Sequence, residues 1–189
     1  MNLPASVEGR ERIRLFCALR LPDETAERLV AWQRDAFARA REVRVLSREH
    51  LHLTLAFLGH RPVEEVEPIL GALRDAAAGA RRPALSVRGY GETRSVGMLA
   101  FDDEEGRAAA LALDLHERLE ALGVYERERR EWLPHVTVLR FRQRPRLRPE
   151  LPELGTFGPS DAALYHSLLR SGGAQYEVLE SVALGPVSK

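Results

Sequence analysis

One pattern occurs twice in this chain of 189 residues. A strand, a helix and a second strand carrying His-x-Thr are expected from Ile13 to Gly59 and again from Val96 to Phe141. In the first copy, IRLFCALRL (Ile13 to Leu21) is apolar on both faces, as a buried strand is. Pro22 and Asp23 end it and open a helix, with Asp23 expected as N-cap and Glu24 favourable in the first turn. Ala26, Leu29, Val30, Phe37 and Ala40 then recur at helical spacing, and LHLTLAFLG (Leu51 to Gly59) alternates with the period of a strand. In the second copy RSVGMLAF supplies the strand, and Asp102 to Glu105 open a helix. Its stripe is Ala108, Leu111, Ala112, Leu115, Leu119 and Leu122, with Gly123 as its stop, and WLPHVTVLRF (Trp132 to Phe141) closes the copy.

The rest of the chain fits around this repeat. A helix is expected from Val63 to Ala80, weakened at its start by Pro68, followed by the strand-like ALSVRGYG. Residues 142–152, rich in arginine and proline, read as a loop. The tail supplies a strand near ALYHSLLRS, a Gly172–Gly173 turn and a strand from Tyr176 to Leu184. The class is therefore α+β, with antiparallel sheets and outer helices. Two such units face to face bring equivalent strands to opposite walls of one cleft, within a single bilobal domain (1–189) whose residues 1–11 form a leader. Two copies are too few for a solenoid.

Charge and cysteine content exclude several classes. Basic and acidic residues number 28 each, so no global basic field exists for indiscriminate duplex binding. Arginine carries almost all the positive charge, and the one lysine is Lys189. That bias is read as compositional rather than as a sign of phosphate recognition. Cys17 is the sole cysteine, which rules out an internal disulfide and a cysteine zinc cluster. The leader MNLPASVEGRER lacks the apolar core of a secretory signal, and no stretch approaches the ~18 apolar residues of a membrane span. A cytoplasmic protein is expected, with no membrane partner.

Within LHLTLAFLG, His52 and Thr54 point away from Leu51, Leu53, Leu55 and Phe57; within PHVTVLRF, His135 and Thr137 point away from Val136 and Val138. A single His-x-Thr is a weak signal. Two at equivalent places in a repeat form a much stronger one, because phosphodiester hydrolysis needs a base for water and an acid for the departing alkoxide. Histidine serves as either near neutrality, and each positioned proton-transfer group is worth roughly 100- to 10,000-fold in rate. A threonine hydroxyl two residues on is placed to donate to a phosphate oxygen, and Arg140 lies close by in sequence.

These motifs resemble the two-histidine (2H) phosphoesterases, and among them the RNA 2′,3′-cyclic phosphodiesterases, also called 2′-5′ RNA ligases (LigT-like). RLFCALRLP resembles that family's first strand, HVTVLR its second motif, and LLRSGGAQYEVLESVAL its C-terminal hairpin, so the likeness runs from about residue 12 to 185. The resemblance implies opening of RNA 2′,3′-cyclic phosphate ends to 2′-phosphomonoesters, without metal or other cofactor. It implies His52 as proton donor, His135 as proton acceptor, and Thr54, Thr137 and Arg140 as substrate-binding residues. Ligation of tRNA halves through 2′-5′ linkages is the reverse activity it implies. RNA ends bearing a cyclic phosphate are then the partner, with no obligate protein partner and a monomeric state. Two departures stand out: a tryptophan frequent in relatives is missing from RSVGMLAF, and simple alternation points Arg140 away from His135, so a twist or bulge at that strand end is required.

The remaining candidates read more plainly. His60, His116 and His166 are expected to be structural, with His116 at the surface; Trp32 and Trp132 are expected in the core. His50 and His52 form a His-x-His on one strand, a spacing that can bind metal, but no third ligand completes the set. Arg142, Arg144, Arg146 and Arg148 form either a solvated loop or a guide for RNA phosphates. The rival functions are a non-catalytic RNA-end binder, the same chemistry on another cyclic phosphate or a 2′-5′ oligonucleotide, and a metal-dependent hydrolase built on His50 and His52.

Overall fold

The first strand is buried on both faces through its middle. The computed structural model describes residues 7, 9, 11–170 and 173–185. The elements are β1 (Arg12–Arg20), α1 (Asp23–Ala36), β2 (Val43–Val45), β3 (His52–Pro62), α2 (Val66–Gly79), β4 (Leu85–Glu92), β5 (Val96–Asp103), α3 (Arg107–Ala121), β6 (His135–Phe141), β7 (Asp161–Arg170) and β8 (Gly173–Ala183). Single 3₁₀ turns cover Arg48–His50 and Val63–Glu65. Among the described residues no helix is long and apolar enough to cross a membrane.

The strands form one antiparallel sheet in the order β4-β5-β6-β3-β1-β7-β8, with β2 also pairing with β6. At its middle, β3 and β6 share one ladder pair, Leu53 with Val136. Two well-paired halves therefore meet at a narrow seam, and the two His-x-Thr strands line it. The sheet curls so far that His50 Nε2 donates to Ala174 O in β8 at 2.7 Å.

Alternation sorts β1 between two apolar clusters. Leu15, Cys17 and Leu19 face the main core with the buried stripes of α2 and α3. Phe16 and Ala18 face the other way, in a small cluster with Ala163, Tyr165 and Tyr176. The helices α2 and α3 pack on each other, α2 also on β7 and β8, and α3 on β3 and β5. Cys17 is fully buried, and burial pushes its thiol up to about 12.

Several local expectations change. Asp23 makes no side-chain cap; Pro22 holds the N-cap place and Asp23 instead accepts from Arg48 at 2.6 Å. The first helix stops at Ala36; within it Val30 is exposed, and Gln33 takes the buried face that a purely apolar stripe left out. Asp102 and Asp103 end β5 rather than open α3, though the Asp103 carboxylate accepts from Ala109 N at 2.9 Å in the first turn. Leu122 is exposed beyond α3, and Gly123, at φ +70°, provides the expected stop. Pro68 sits in the first turn of α2, where its missing N–H has no intrahelical partner to lose. The short β2 was not foreseen. Of the expected hairpin turn, Ser171 and Gly172 lie outside the described residues, and Gly173 begins β8 with φ +121°.

Candidate functional site

The seam organises the site. Around the Leu53–Val136 pair, antiparallel register sets His52 level with Thr137 and Thr54 level with His135. The intervening Leu53, Leu55, Val136 and Val138 are buried beneath, at 2% exposure or less, and anchor both strands to the core. The histidines and threonines stand half-buried on the opposite face. The two motifs are thus related by an approximate twofold axis, each histidine beside the other motif's threonine.

Both strands carry a bulge one residue past the threonine. Against β1, the register passes from Ala18–Thr54 to Cys17–Ala56 and skips Leu55. Against β5, it passes from Met98–Thr137 to Gly97–Leu139 and skips Val138. A bulge resets alternation, because its extra residue shifts every later side chain by one face. Arg140 consequently pairs with Val96, on the face of Met98 and Ala100, which pair with Thr137 and His135. The arginine that simple alternation turns away is returned to the cleft.

Each bulge is held from behind. Gln33 Nε2, on α1, donates to Val138 O at 2.9 Å and to Leu46 O at 3.1 Å. His116 Nε2, on α3, donates to Leu55 O at 2.7 Å. His116 is not a surface residue: it is 5% exposed, and its ring lies 4.8 Å from that of Tyr125. Charged neighbours along α3 suggested otherwise, but its own position faces β3.

The two motif imidazoles differ in environment. His135 Nδ1 donates to Leu133 O at 2.8 Å, which leaves Nε2 as the acceptor of the neutral ring. His52 stacks on Phe16 at 4.9 Å between centroids, with Tyr165 at 5.8 Å and Tyr176 edge-on at 5.5 Å. Burial, then the charges of His50, His135 and Arg140, bring its pKa down to about 4. The His50 carbonyl acts in the opposite direction but falls short of a well-formed hydrogen bond, and His52 Nδ1 is enclosed without one. Burial likewise raises the Tyr165 phenol above its usual range.

Other candidates take different places. His50 lies in a 3₁₀ turn, not on the strand with His52. Its Nδ1 lies 2.9 Å from Ser47 Oγ and its Nε2 is engaged by Ala174 O, so both nitrogens are committed. Among the described residues no three His, Cys, Asp or Glu side chains converge as a metal cluster. His166 is buried and His60 exposed. Both tryptophans are only partly buried and use their indoles: Trp32 donates to Glu150 O, and Trp132 donates to Thr54 O at 2.9 Å, tying one motif to the approach of the other. Arg142, Arg144, Arg146 and Arg148 are exposed, and Arg144 is held by Glu92 at 3.3 Å.

The aromatic bed of Phe16, Tyr165 and Tyr176 was missed, since three separate strands contribute it. The two anchors had a sequence signal: Gln33 stands 19 residues before His52, and His116 stands 19 before His135.

Comparison with known proteins finds similar sequences and the same fold. The model of the LigT-like phosphoesterases matches residues 19–96. The RNA 2′,3′-cyclic phosphodiesterase of Methanocaldococcus jannaschii is 23% identical over 177 residues, covering 89% of this chain and 99% of that protein. The chain is thus similar to the LigT-like phosphoesterases in both sequence and fold. A second relative, the RNA 2′,3′-cyclic phosphodiesterase of Geobacillus stearothermophilus, is 26% identical across 92% of this chain, which spans 58% of that longer protein. The solved structure of a Thermus thermophilus protein superimposes with a TM-score of 0.79 at 29% identity, covering 91% of this chain and 98% of that one. Escherichia coli LigT complexed with 3′-AMP gives 0.77 at 25% identity, covering 93% and 100%.

Proposed function

We propose that this phosphoesterase opens 2′,3′-cyclic phosphate ends of RNA to 2′-phosphomonoesters, with His135 as the base and His52 as the acid. The observation that carries the reading is the approximate twofold axis of the seam. In-line displacement at phosphorus needs the attacking and leaving oxygens on opposite sides, and two imidazoles related by a twofold axis flank a phosphate in that way. The free Nε2 of His135 takes a proton from water as its oxygen bonds to phosphorus. The P–O3′ bond breaks, His52 delivers a proton to O3′, and the P–O2′ bond remains. Thr54 and Thr137 donate to the non-bridging oxygens, and Arg140 offsets the charge that builds there.

His52 is neutral in the empty cleft at pH 7, given its lowered pKa. Burial depresses it most and the charges of His50, His135 and Arg140 add to this; an anionic phosphate placed among them favours the charged imidazole, so substrate binding draws in the proton the acid needs. The scheme uses neither metal nor cofactor. Ligation is the same displacement with an RNA 5′-hydroxyl in place of water, as for tRNA halves. Water's abundance and the strain of the cyclic ester make hydrolysis the default. The enzyme acts as a monomer in the cytoplasm on RNA ends.

The test is incubation with an oligoribonucleotide ending in a 2′,3′-cyclic phosphate, in excess EDTA, beside His52→Ala and His135→Ala. Conversion to the 2′-phosphate by the wild type alone is the expected result. Binding without turnover would instead make the protein an RNA-end binder, and rescue by added metal would move the chemistry to a metal site.

A further inference from the structure

Arg44 stands directly opposite Arg140 in the β2–β6 ladder. Opposed residues on paired strands share a face, with Cβ atoms about 5 Å apart. Since the bulge returns Arg140 to the face of Thr137 and His135, Arg44 stands on that face too. Like charges so placed are destabilising. Elsewhere many arginines are answered: Arg20 by Asp161, Arg48 by Asp23, Arg74 by Glu180 and Arg144 by Glu92. Arg44 and Arg140 are both exposed, and among the described residues neither has an ion pair.

The far wall of the cleft accommodates the Arg44 tip. A Cβ on Gly173 would lie 2.7 Å from each terminal nitrogen of the guanidinium, and Gly173 has φ +121°, so a glycine there leaves the side chain its space. The next residue, Ala174, accepts from His50. Arg44 thus ends where β2, β6 and β8 converge at the cleft's edge. Arg140 shares β6 with Thr137 and His135, whereas Arg44 stands on β2 opposite it, one strand removed from that motif.

We propose that Arg44 binds the internal phosphodiester adjoining the terminal cyclic phosphate, so that the site takes oligoribonucleotides in preference to mononucleoside cyclic phosphates. This rests on the function proposed above. A phosphate held by Thr54, Thr137 and Arg140 leaves Arg44 unneutralised, and the next phosphate along an RNA strand supplies the missing charge. A planar guanidinium is suited to that role, since it grips phosphate oxygens in pairs.

The test compares the wild type with Arg44→Gln and Arg44→Lys on two ligand pairs. One pair is a 2′,3′-cyclic mononucleotide and a dinucleotide ending in the same cyclic nucleotide, read as kcat/KM. The other is the corresponding 2′-phosphate products, read as affinity by calorimetry. Arg44→Gln is expected to lower the dinucleotide-to-mononucleotide ratio about tenfold in both readouts, the scale of one charge-assisted contact. Arg44→Lys is expected to recover part of it. A dinucleotide with an uncharged methylphosphonate linkage should respond to Arg44→Gln as the mononucleotide does. An equal loss on both members of each pair would overturn the inference and assign Arg44 to the reacting phosphate. No loss on either would also overturn it. If the wild type turned over neither substrate, the hydrolytic reading would fail, while the product affinities would still decide the role of Arg44.

Discussion

Gln33 and His116 make the same contact in the two halves of the molecule. Each lies on the buried side of its helix and donates to the carbonyl of the bulged residue three positions after a motif histidine, Val138 in one half and Leu55 in the other. A bulge takes its extra residue out of the ladder, and its carbonyl then needs another partner. The side chains also link each helix to the opposite motif: α1 follows β1 but reaches β6, and α3 follows β5 but reaches β3. Each is thereby placed to position a motif histidine through its strand.

Replacing Gln33 with Met, or His116 with Leu, leaves a buried carbonyl short of a donor and should cost about 1–3 kcal/mol of stability. Thermal melting should fall by several degrees in each variant. If the anchors also set motif geometry, kcat falls with KM nearly unchanged, and His116→Gln, which keeps a donor, recovers part of it. Equal loss of stability without any change in kcat would confine both residues to a structural role.

The His52 environment predicts an acid-sensitive fold. Its folded value of about 4 lies below the 6.5 of a free imidazole, so the unfolded chain takes up this proton first as pH falls. Stability from this group is therefore complete above about pH 6.5, declines down to about pH 4, and the whole window is worth about 3 kcal/mol. His52→Gln should remove that decline. Denaturant unfolding of both proteins at pH 7 and 4.5 measures it: the variant should gain on the wild type at the lower pH. Parallel loss in the two would place the acid sensitivity in other groups. By NMR, the His52 ring should titrate near 4 in the free protein and move upward when a 2′-nucleotide is bound.

Periodicity disclosed the repeat and both motifs, because alternating Leu and Val residues declare which way His52, Thr54, His135 and Thr137 point. For Arg140 it required a twist or bulge, and the bulge at Val138 supplies it. Where a bulge falls is a property of two strands in register, and one strand read alone does not contain it. His116 was misplaced, since helical charge patterning describes a helix against solvent and not against the particular strand it crosses. The bed under His52 draws on β1, β7 and β8, whose adjacency is a fact of topology rather than of spacing. The Gln33–His116 equivalence was legible throughout, but only by extending the repeat to polar residues.

Cys17 should be a silent reporter of global unfolding. It is fully buried in β1, an inner strand of the sheet, with its thiol raised to about 12, so thiolate is scarce as well as inaccessible at neutral pH. Alkylation by iodoacetamide should be negligible in the native protein and rise along the denaturation curve. Rapid labelling in buffer, with the melting curve unchanged, would reveal an opening of β1 that the sheet order gives no reason to expect.

The loop after β6 tests whether its arginines touch RNA beyond the reacting end. Glu92 organises it: its carboxylate accepts from Leu147 N at 2.8 Å and Arg146 N at 2.9 Å, besides pairing with Arg144. Arg144 is thereby used within the protein, whereas Arg142, Arg146 and Arg148 project to solvent without an ion pair among the described residues. Each phosphate contact on a single strand contributes about 0.7 to the slope of log affinity against log salt. Replacing Arg142, Arg146 and Arg148 with Ser should therefore flatten that slope for a ten-nucleotide RNA while leaving it unchanged for a mononucleotide. Arg144→Ser acts differently: it removes one partner of Glu92, so it should lower thermal stability and change the slope less than the triple replacement. If the triple replacement leaves the slope unaltered, the loop is solvated surface and contacts with RNA are confined to the cleft.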